Sequence, residues 1–286
     1  MRMGRVPARA RLLLLTFGAL ALVAVAVLGL VLGARPLDVG PPPAADPPAA
    51  TARPSSAAPA PTTAETPAPL ADLHVVLDPG HNGGNAAAPA EINALVGDGR
   101  GGTKACNTVG SSTASGYPEH AFTLDVALRA REVLRADGAT VTLTREDDTG
   151  VGPCVDERGQ SAQAAGADVL VSIHADGAAD TTVRGYFAIV SEPPLNDAQA
   201  EPSRALAAHL LAALGDAGFA PSSSYPGALS ERADLGTLNW AERPAVLLEL
   251  AEMRNPEEAA LIESAEGRSR YAEAVVAGLR QWWAGR

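Results

Sequence analysis

From residue 73 onward the chain alternates short apolar runs with stretches that repeat at helical spacing. Residues 73–78 carry Val75, Val76 and Leu77 and end abruptly in Asp78-Pro79-Gly80-His81. The run reads as a buried strand and Asp-Pro-Gly as a sharp turn, because proline fixes φ and glycine tolerates positive φ. Pro118-Glu119 opens a helix in which Phe122, Val126, Ala130 and Val133 recur on one face until about Asp137-Gly138. The pattern then predicts a strand over 139–144, a helix over 154–165, a strand over 168–173 running into His174, a strand over 185–190, a helix over 197–214 and a strand over 244–250. Asn255-Pro256-Glu257-Glu258 starts a further helix, with proline at its first position and acids where the helix dipole favours them. A last helix covers 266–283. Strands alternating with helices predict an α/β fold with a largely parallel sheet. The stretch 82–117 is rich in Gly, Ala, Ser and Thr and has no clear period; so long a loop in a compact domain is usually functional.

Ahead of this body the pattern changes twice. Residues 12–33 are 22 positions without a charge, preceded by four arginines. A bilayer needs roughly 20 apolar residues, and arginines on the leading side favour retention of the N-terminus inside. A cleaved signal peptide is the alternative, although its apolar core is usually only about 7–15 residues. Either reading exports the body of the chain. Residues 35–71 are dominated by Pro, Ala, Thr and Ser, a composition that builds an extended spacer and no core. The expected division is a signal anchor or signal peptide over 1–34, a linker over 35–71 and one folded domain over 72–286.

Charge and cysteine content sharpen this. The 286-residue chain has a net charge of −11. Residues 1–35 hold five arginines and no acid, so the rest carries 17 basic against 33 acidic residues, a net −16. So acidic a body, without any Lys/Arg run, argues against nucleic acid as a partner. Cys106 and Cys154 are the two cysteines. In an exported chain such a pair reads as a disulfide, which across 48 positions stabilises by about 3–4 kcal/mol in the chain-entropy model; two free thiols are the alternative.

The candidate chemistry sits at element ends. His81 and His174 each follow a strand, Glu119 opens a helix, and Glu249 is an acid within an apolar strand. Each has a plain structural reading: a core histidine bonded to a carbonyl, an acid at a helix start, a glutamate paired with a buried arginine. Together, two imidazoles and one carboxylate form a ligand set for catalytic zinc, with the fourth position left for water. An acid that is no ligand can then carry the proton. Glu249 suits that task, since its apolar flanks raise its pKa by desolvation.

These blocks resemble a known family. Val-Leu-Asp-Pro-Gly-His at 76–81, Glu119 at a helix start, Ser-Ile-His-Ala-Asp at 172–176 and Pro-Ala-Val-Leu-Leu-Glu at 244–249, followed by Asn255-Pro256, are similar to the zinc-dependent N-acetylmuramoyl-L-alanine amidases of the Amidase_3 type. The resemblance spans about 75–285. It implies one zinc ion held by His81, Glu119 and His174, with Glu249 as the catalytic acid. It also implies a single domain whose sheet has about six strands flanked by helices. The implied reaction is hydrolysis of the amide between muramic acid and L-alanine of peptidoglycan. From the N-terminal segment the domain is expected outside the cell membrane on a single-pass anchor, or secreted to the cell wall or periplasm, and it is expected to be a monomer. A zinc peptidase cutting within the stem peptide and a non-catalytic wall-binding module are the rival readings. Glu249 is followed by Leu250-Ala251-Glu252 where many relatives have x-Gly-Phe, so Glu252 competes for the catalytic role; Glu91 and His120 compete with Glu119 as ligand. His74 and His209 match no block. Asp176 is expected to shape the pocket. Asn239 and Arg243 are candidates for substrate contacts or loop polars, and Trp282-Trp283 for a core-packing pair.

Overall fold

The computed structural model describes residues 69–286. The expected anchor or signal segment and residues 35–68 of the expected linker lie outside the described residues. Among those described, no helix is long and apolar enough to cross a membrane. Leu70, placed in the linker by composition, is buried together with Leu73, and its amide bonds to the Asp137 carbonyl.

The strands are β1 (His74–Pro79), β2 (Leu95–Gly97), β3 (Thr103–Ala105), β4 (Thr140–Leu143), β5 (Val169–Asp176), β6 (Phe187–Ser191), β7 (Leu229–Arg232) and β8 (Ala245–Glu252). The helices are α1 (Pro89–Ile92), α2 (Glu119–Ala136), α3 (Val155–Ala165), α4 (Glu201–Asp216), α5 (Gly236–Asn239), α6 (Pro256–Glu263) and α7 (Ala265–Ala284). Six strands form one sheet in the order β4-β1-β5-β8-β6-β7, and β2 and β3 form a separate antiparallel hairpin. Every pairing in the large sheet is parallel except β6 with β8.

This order places helices on both faces. The chain moves from β1 outward to β4 through α2, then back across β1 to β5 through α3. Right-handed crossovers in opposite directions put α2 and α3 on opposite faces. Helix α2 lies along β1, β4 and β5, α4 along β6 and β8, and α7 packs between α2 and α4. Both faces being covered, the central strands are apolar at nearly every position: Val75, Val76, Leu77, Val169, Leu170 and Val171 are all fully buried. An aromatic cluster seats α7, with Tyr271 stacked on Phe219 and edge-on to Phe122. Trp282 is buried in this layer and Trp283 packs at its margin, which agrees with a packing pair.

Parallel register delivers the site. His174 of β5 lies directly opposite Glu249 of β8, so both side chains point to the same face at the carboxyl end of the sheet. Asp78 of β1 is opposite Ser172, two residues before His174, and therefore shares that face. The register then slips between His174 and Asp176, which pairs with Glu252.

The hairpin β2–β3 and helix α1 occupy the stretch that shows no period in the sequence. Cys106 and Cys154 are disulfide-bonded. The bond joins the residue after β3 to the residue before α3, and the Val155 amide bonds to the Cys106 carbonyl beside it. Replacing both cysteines by serine should therefore lower the melting temperature by several degrees, as expected for a loss of about 3–4 kcal/mol. An unchanged melt under reducing conditions would contradict a stabilising role for the bond.

Candidate metal centre and active site

Three elements bring three ligand-type side chains together. His81 follows β1, Glu119 is the first residue of α2, and His174 is near the end of β5. His81 Nε2 and His174 Nδ1 each lie 3.0 Å from the same oxygen, Glu119 Oε1. One ligand atom from each residue falls within 4.8 Å of the other two. The imidazoles meet edge to face with ring centroids 4.8 Å apart.

The backbone is shaped to allow this. His81 has φ +59°, a left-handed conformation that costs a non-glycine residue about 1 kcal/mol. Glycine is needed at two neighbours. A Cβ at Gly80 would run into the His174 ring, and one at Gly110, where φ is +87°, would sit 2.8 Å from His81 Cδ2 and 2.9 Å from Glu119 Oε2. Hydrogen bonds from behind His81 and Glu119 fix the orientation of these two side chains. His81 Nδ1 is 3.1 Å from the Thr108 carbonyl, which also accepts from Asn85 Nδ2. The backbone amides of Ser111 and Ala175 donate to the two oxygens of Glu119.

The two glutamates of the site are driven in opposite directions. Burial pushes the Glu119 carboxyl up, but the charges and hydrogen bonds of His81 and His174 outweigh it and hold the group well below its ordinary value. Glu249 is raised well above its ordinary value, first by burial and then by the negative charges of Glu119, Asp176 and Glu252, with Arg232 opposing. Its Oε2 is buried and has no hydrogen-bond partner among the described residues. His174 is lowered, burial outweighing its bond to Glu119.

These groups line a cleft of about 640 Å³. Lys104, the single lysine of the chain, and Arg232 stand on its walls, both bonded to Asp234. Asp176 lines the cleft as expected. Glu252 does not: it is 2 % exposed and its Oε2 accepts from the Ala178 amide. Glu91 is exposed on α1, and His120 Nδ1 is 2.6 Å from Asp148 Oδ2, so neither joins the cluster. His74 bonds Thr142 across β1 and β4, and His209 is half-buried on α4. Asn239 is spent on Arg100, Ser191 and the carbonyls of Asp98 and Ala233, and Arg243 is exposed away from the cleft lining. The supporting residues Thr108, Gly110 and Arg158 escape a reading of the sequence, since each acts on groups distant in the chain: Thr108 through its carbonyl on His81, Gly110 by leaving room beside His81 and Glu119, and Arg158 on Asp78 and the carbonyls after β1.

Two imidazoles and a carboxylate thus converge in a cleft at the carboxyl ends of parallel strands, where α/β sheets build their sites, as a group that could hold a metal ion. Residues 75–281 match the Amidase_3 family, described as N-acetylmuramoyl-L-alanine amidase, and the chain belongs to that family. The chain is 47% identical over 216 residues to the N-acetylmuramoyl-L-alanine amidase Rv3717 of Mycobacterium tuberculosis, covering 75% of this chain and 88% of that one. The crystal structure of the N-acetylmuramyl-L-alanine amidase Ami1 from Mycobacterium smegmatis superposes with a TM-score of 0.73 at 43% identity, over 76% of this chain and 99% of that chain. The probable cell wall amidase LytH of Staphylococcus saprophyticus is 29% identical over 75% of this chain and 60% of its own length.

The acid next to the cleft has a consequence for pH. Burial, with Asp176 and Glu258 close by, outweighs the Ala178 amide and raises the Glu252 pKa to about 7. A carboxyl raised above its unfolded value stabilises the fold below that unfolded value, and the stabilisation is lost as pH rises through the folded pKa. In metal-free protein the melting temperature of Glu252→Gln relative to wild type should therefore rise between pH 5 and pH 8. A difference that stays constant across that window would contradict the buried, protonated state.

Proposed function

We propose that this chain cleaves the amide bond between N-acetylmuramic acid and the L-alanine of the peptidoglycan stem peptide, with a zinc ion held by His81, Glu119 and His174 and with Glu249 moving the proton. Family membership supports the reaction. The observation that carries the assignment of roles is the convergence of three ligand atoms within 4.8 Å beside a buried glutamate with an unpartnered oxygen.

The donor set fits zinc. Two imidazoles and one carboxylate are the His₂Glu combination that leaves a position open for water. In their present arrangement the imidazole nitrogens share one Glu119 oxygen at 3.0 Å, a crowding of donor groups that a cation would satisfy. Bound there, zinc supplies Lewis acidity that polarises a carbonyl and makes water a nucleophile near neutral pH.

The chain's own residues do the rest. Glu119 stays ionised beside the imidazoles, because their interactions hold its pKa down. Glu249, opposite His174 across the strand pair, is placed to accept a proton from water at its free oxygen and pass it to the departing amine. Once ionised, which the positive charge of a bound cation would favour, a carboxylate with so raised a pKa is the stronger base, and it then holds the proton for delivery to the amine nitrogen as the C–N bond breaks. Thr108 keeps the His81 ring turned toward Glu119. Export through residues 12–33, as an anchor or a signal peptide, brings a monomeric enzyme to its substrate; the cell wall amidase name of a relative agrees with action there.

Three measurements test this reading. His81→Ala and His174→Ala should each lose the metal, and full zinc content in either would contradict the ligand set. Glu249→Gln should keep zinc and lose at least ~10²-fold in turnover; near-normal turnover would contradict Glu249 as the proton carrier. Product masses from a synthetic muramyl peptide should show an intact stem peptide with a free L-alanine amine and muramic acid with a free lactyl carboxylate. Cleavage within the peptide would make the chain a peptidase, and zinc-independent binding without products would make it a wall-binding module.

A further inference from the structure

We propose that Arg158 is a positioning residue for the metal centre, holding His81 in the backbone conformation from which its imidazole reaches Glu119. The inference rests on the reading of His81 as a ligand. Arg158 enters from α3, 77 positions away in the chain, and is 3 % exposed. Its guanidinium grips the loop at several points. Nη1 donates to Asp78 Oδ1 at 2.6 Å and to the Pro79 carbonyl at 2.7 Å. Nη2 donates to the His81 carbonyl at 2.7 Å and to the Gly152 carbonyl at 3.0 Å, and Nε to the Pro153 carbonyl at 2.9 Å.

Two carbonyls of one strand end, at 79 and 81, converge on this one side chain. They do so because the backbone turns at His81 into φ +59°. Among the described residues Arg158 is the donor to the His81 carbonyl. Without it that carbonyl is left buried and the left-handed turn loses the bond that rewards it. Arg145 braces the same loop from the other side at the Pro79 and Gly80 carbonyls but does not reach residue 81. Asp78 completes the anchor: fully buried, it accepts from Arg158, from Ser172 Oγ and from Thr144 Oγ1. Lysine keeps the charge for Asp78 but cannot span a planar fork of acceptors. The role is therefore specific to the guanidinium, and it acts on the geometry of one ligand.

The test is zinc affinity of the full-length chain in detergent, stripped of metal and titrated with Zn²⁺ against a chromophoric chelator. Arg158→Lys, Arg158→Gln and a control, Val141→Ala on the outer strand β4, are compared with wild type, with far-UV circular dichroism and melting curves recorded on each. Arg158→Lys should stay folded and bind zinc about 10–100-fold more weakly. Val141→Ala should melt earlier and keep wild-type affinity, because lost stability alone does not move a ligand. Wild-type affinity in both Arg158 variants overturns the proposal, and so does an equal loss of affinity in Val141→Ala at matched destabilisation. If neither Arg158 variant folds, the residue belongs to the fold and the proposal fails as well. If wild type itself binds no zinc, the metal reading fails first and takes this inference with it.

Discussion

A carboxylate held between two imidazoles is the constraint on which the rest depends. Glu119 is 4 % exposed, and a charge so buried is tolerated only when partners surround it. Two ring nitrogens and two backbone amides do so. The four come from three segments: the turn after β1 gives His81, the end of β5 gives both His174 and the Ala175 amide, and the loop before α2 gives the Ser111 amide. The sheet must therefore hold β1 beside β5 in one register, and the loop must fold back so that Ser111 faces the helix start. The glycines at 80 and 110 arise from the same crowding, since neither position has room for a side chain beside the rings.

The fold turns two chemically identical side chains into different reagents. Glu119 sits among positive partners and keeps its charge. Glu249 sits among other carboxylates, in an apolar strand, and favours its proton. Environments that push the pKa values of neighbouring acids apart are how one site acquires both a fixed charge and a mobile proton. The parallel pairing of β5 with β8 sets this contrast, because it lays Glu249 directly opposite His174. The third acid, Glu252, lies beyond the register slip and is turned onto the Ala178 amide, out of the cleft.

Much of this was legible in the residues. β1, α2, β5 and β8 announce themselves by apolar runs and helical spacing, and the chemistry-bearing residues stand at their ends, where a change from apolar to polar is easy to see. Boundaries moved by a few residues: β5 and β8 extend to Asp176 and Glu252, and α4 starts at Glu201 because Asn196 caps a separate short turn before it. The hairpin β2–β3, strand β7 and helix α5 were not legible. Each is three or four residues long, too short for a period, and the hairpin is held by distant groups, the Trp240 indole on the Gly97 carbonyl and Asn239 on the Asp98 carbonyl. The Asp78–Arg158 pair was hidden for a related reason: its members are 80 positions apart, and a lone arginine in a small-residue helix looks like solvated surface.

The central claim is that one metal ion is shared by His81, Glu119 and His174. X-ray absorption at the zinc edge of the loaded, full-length chain tests it most directly. The expected result is a four-coordinate spectrum with scattering from two imidazoles and the remaining positions filled by oxygen. A coordination sphere containing sulfur, or one lacking the multiple-scattering signature of two imidazoles, would contradict it.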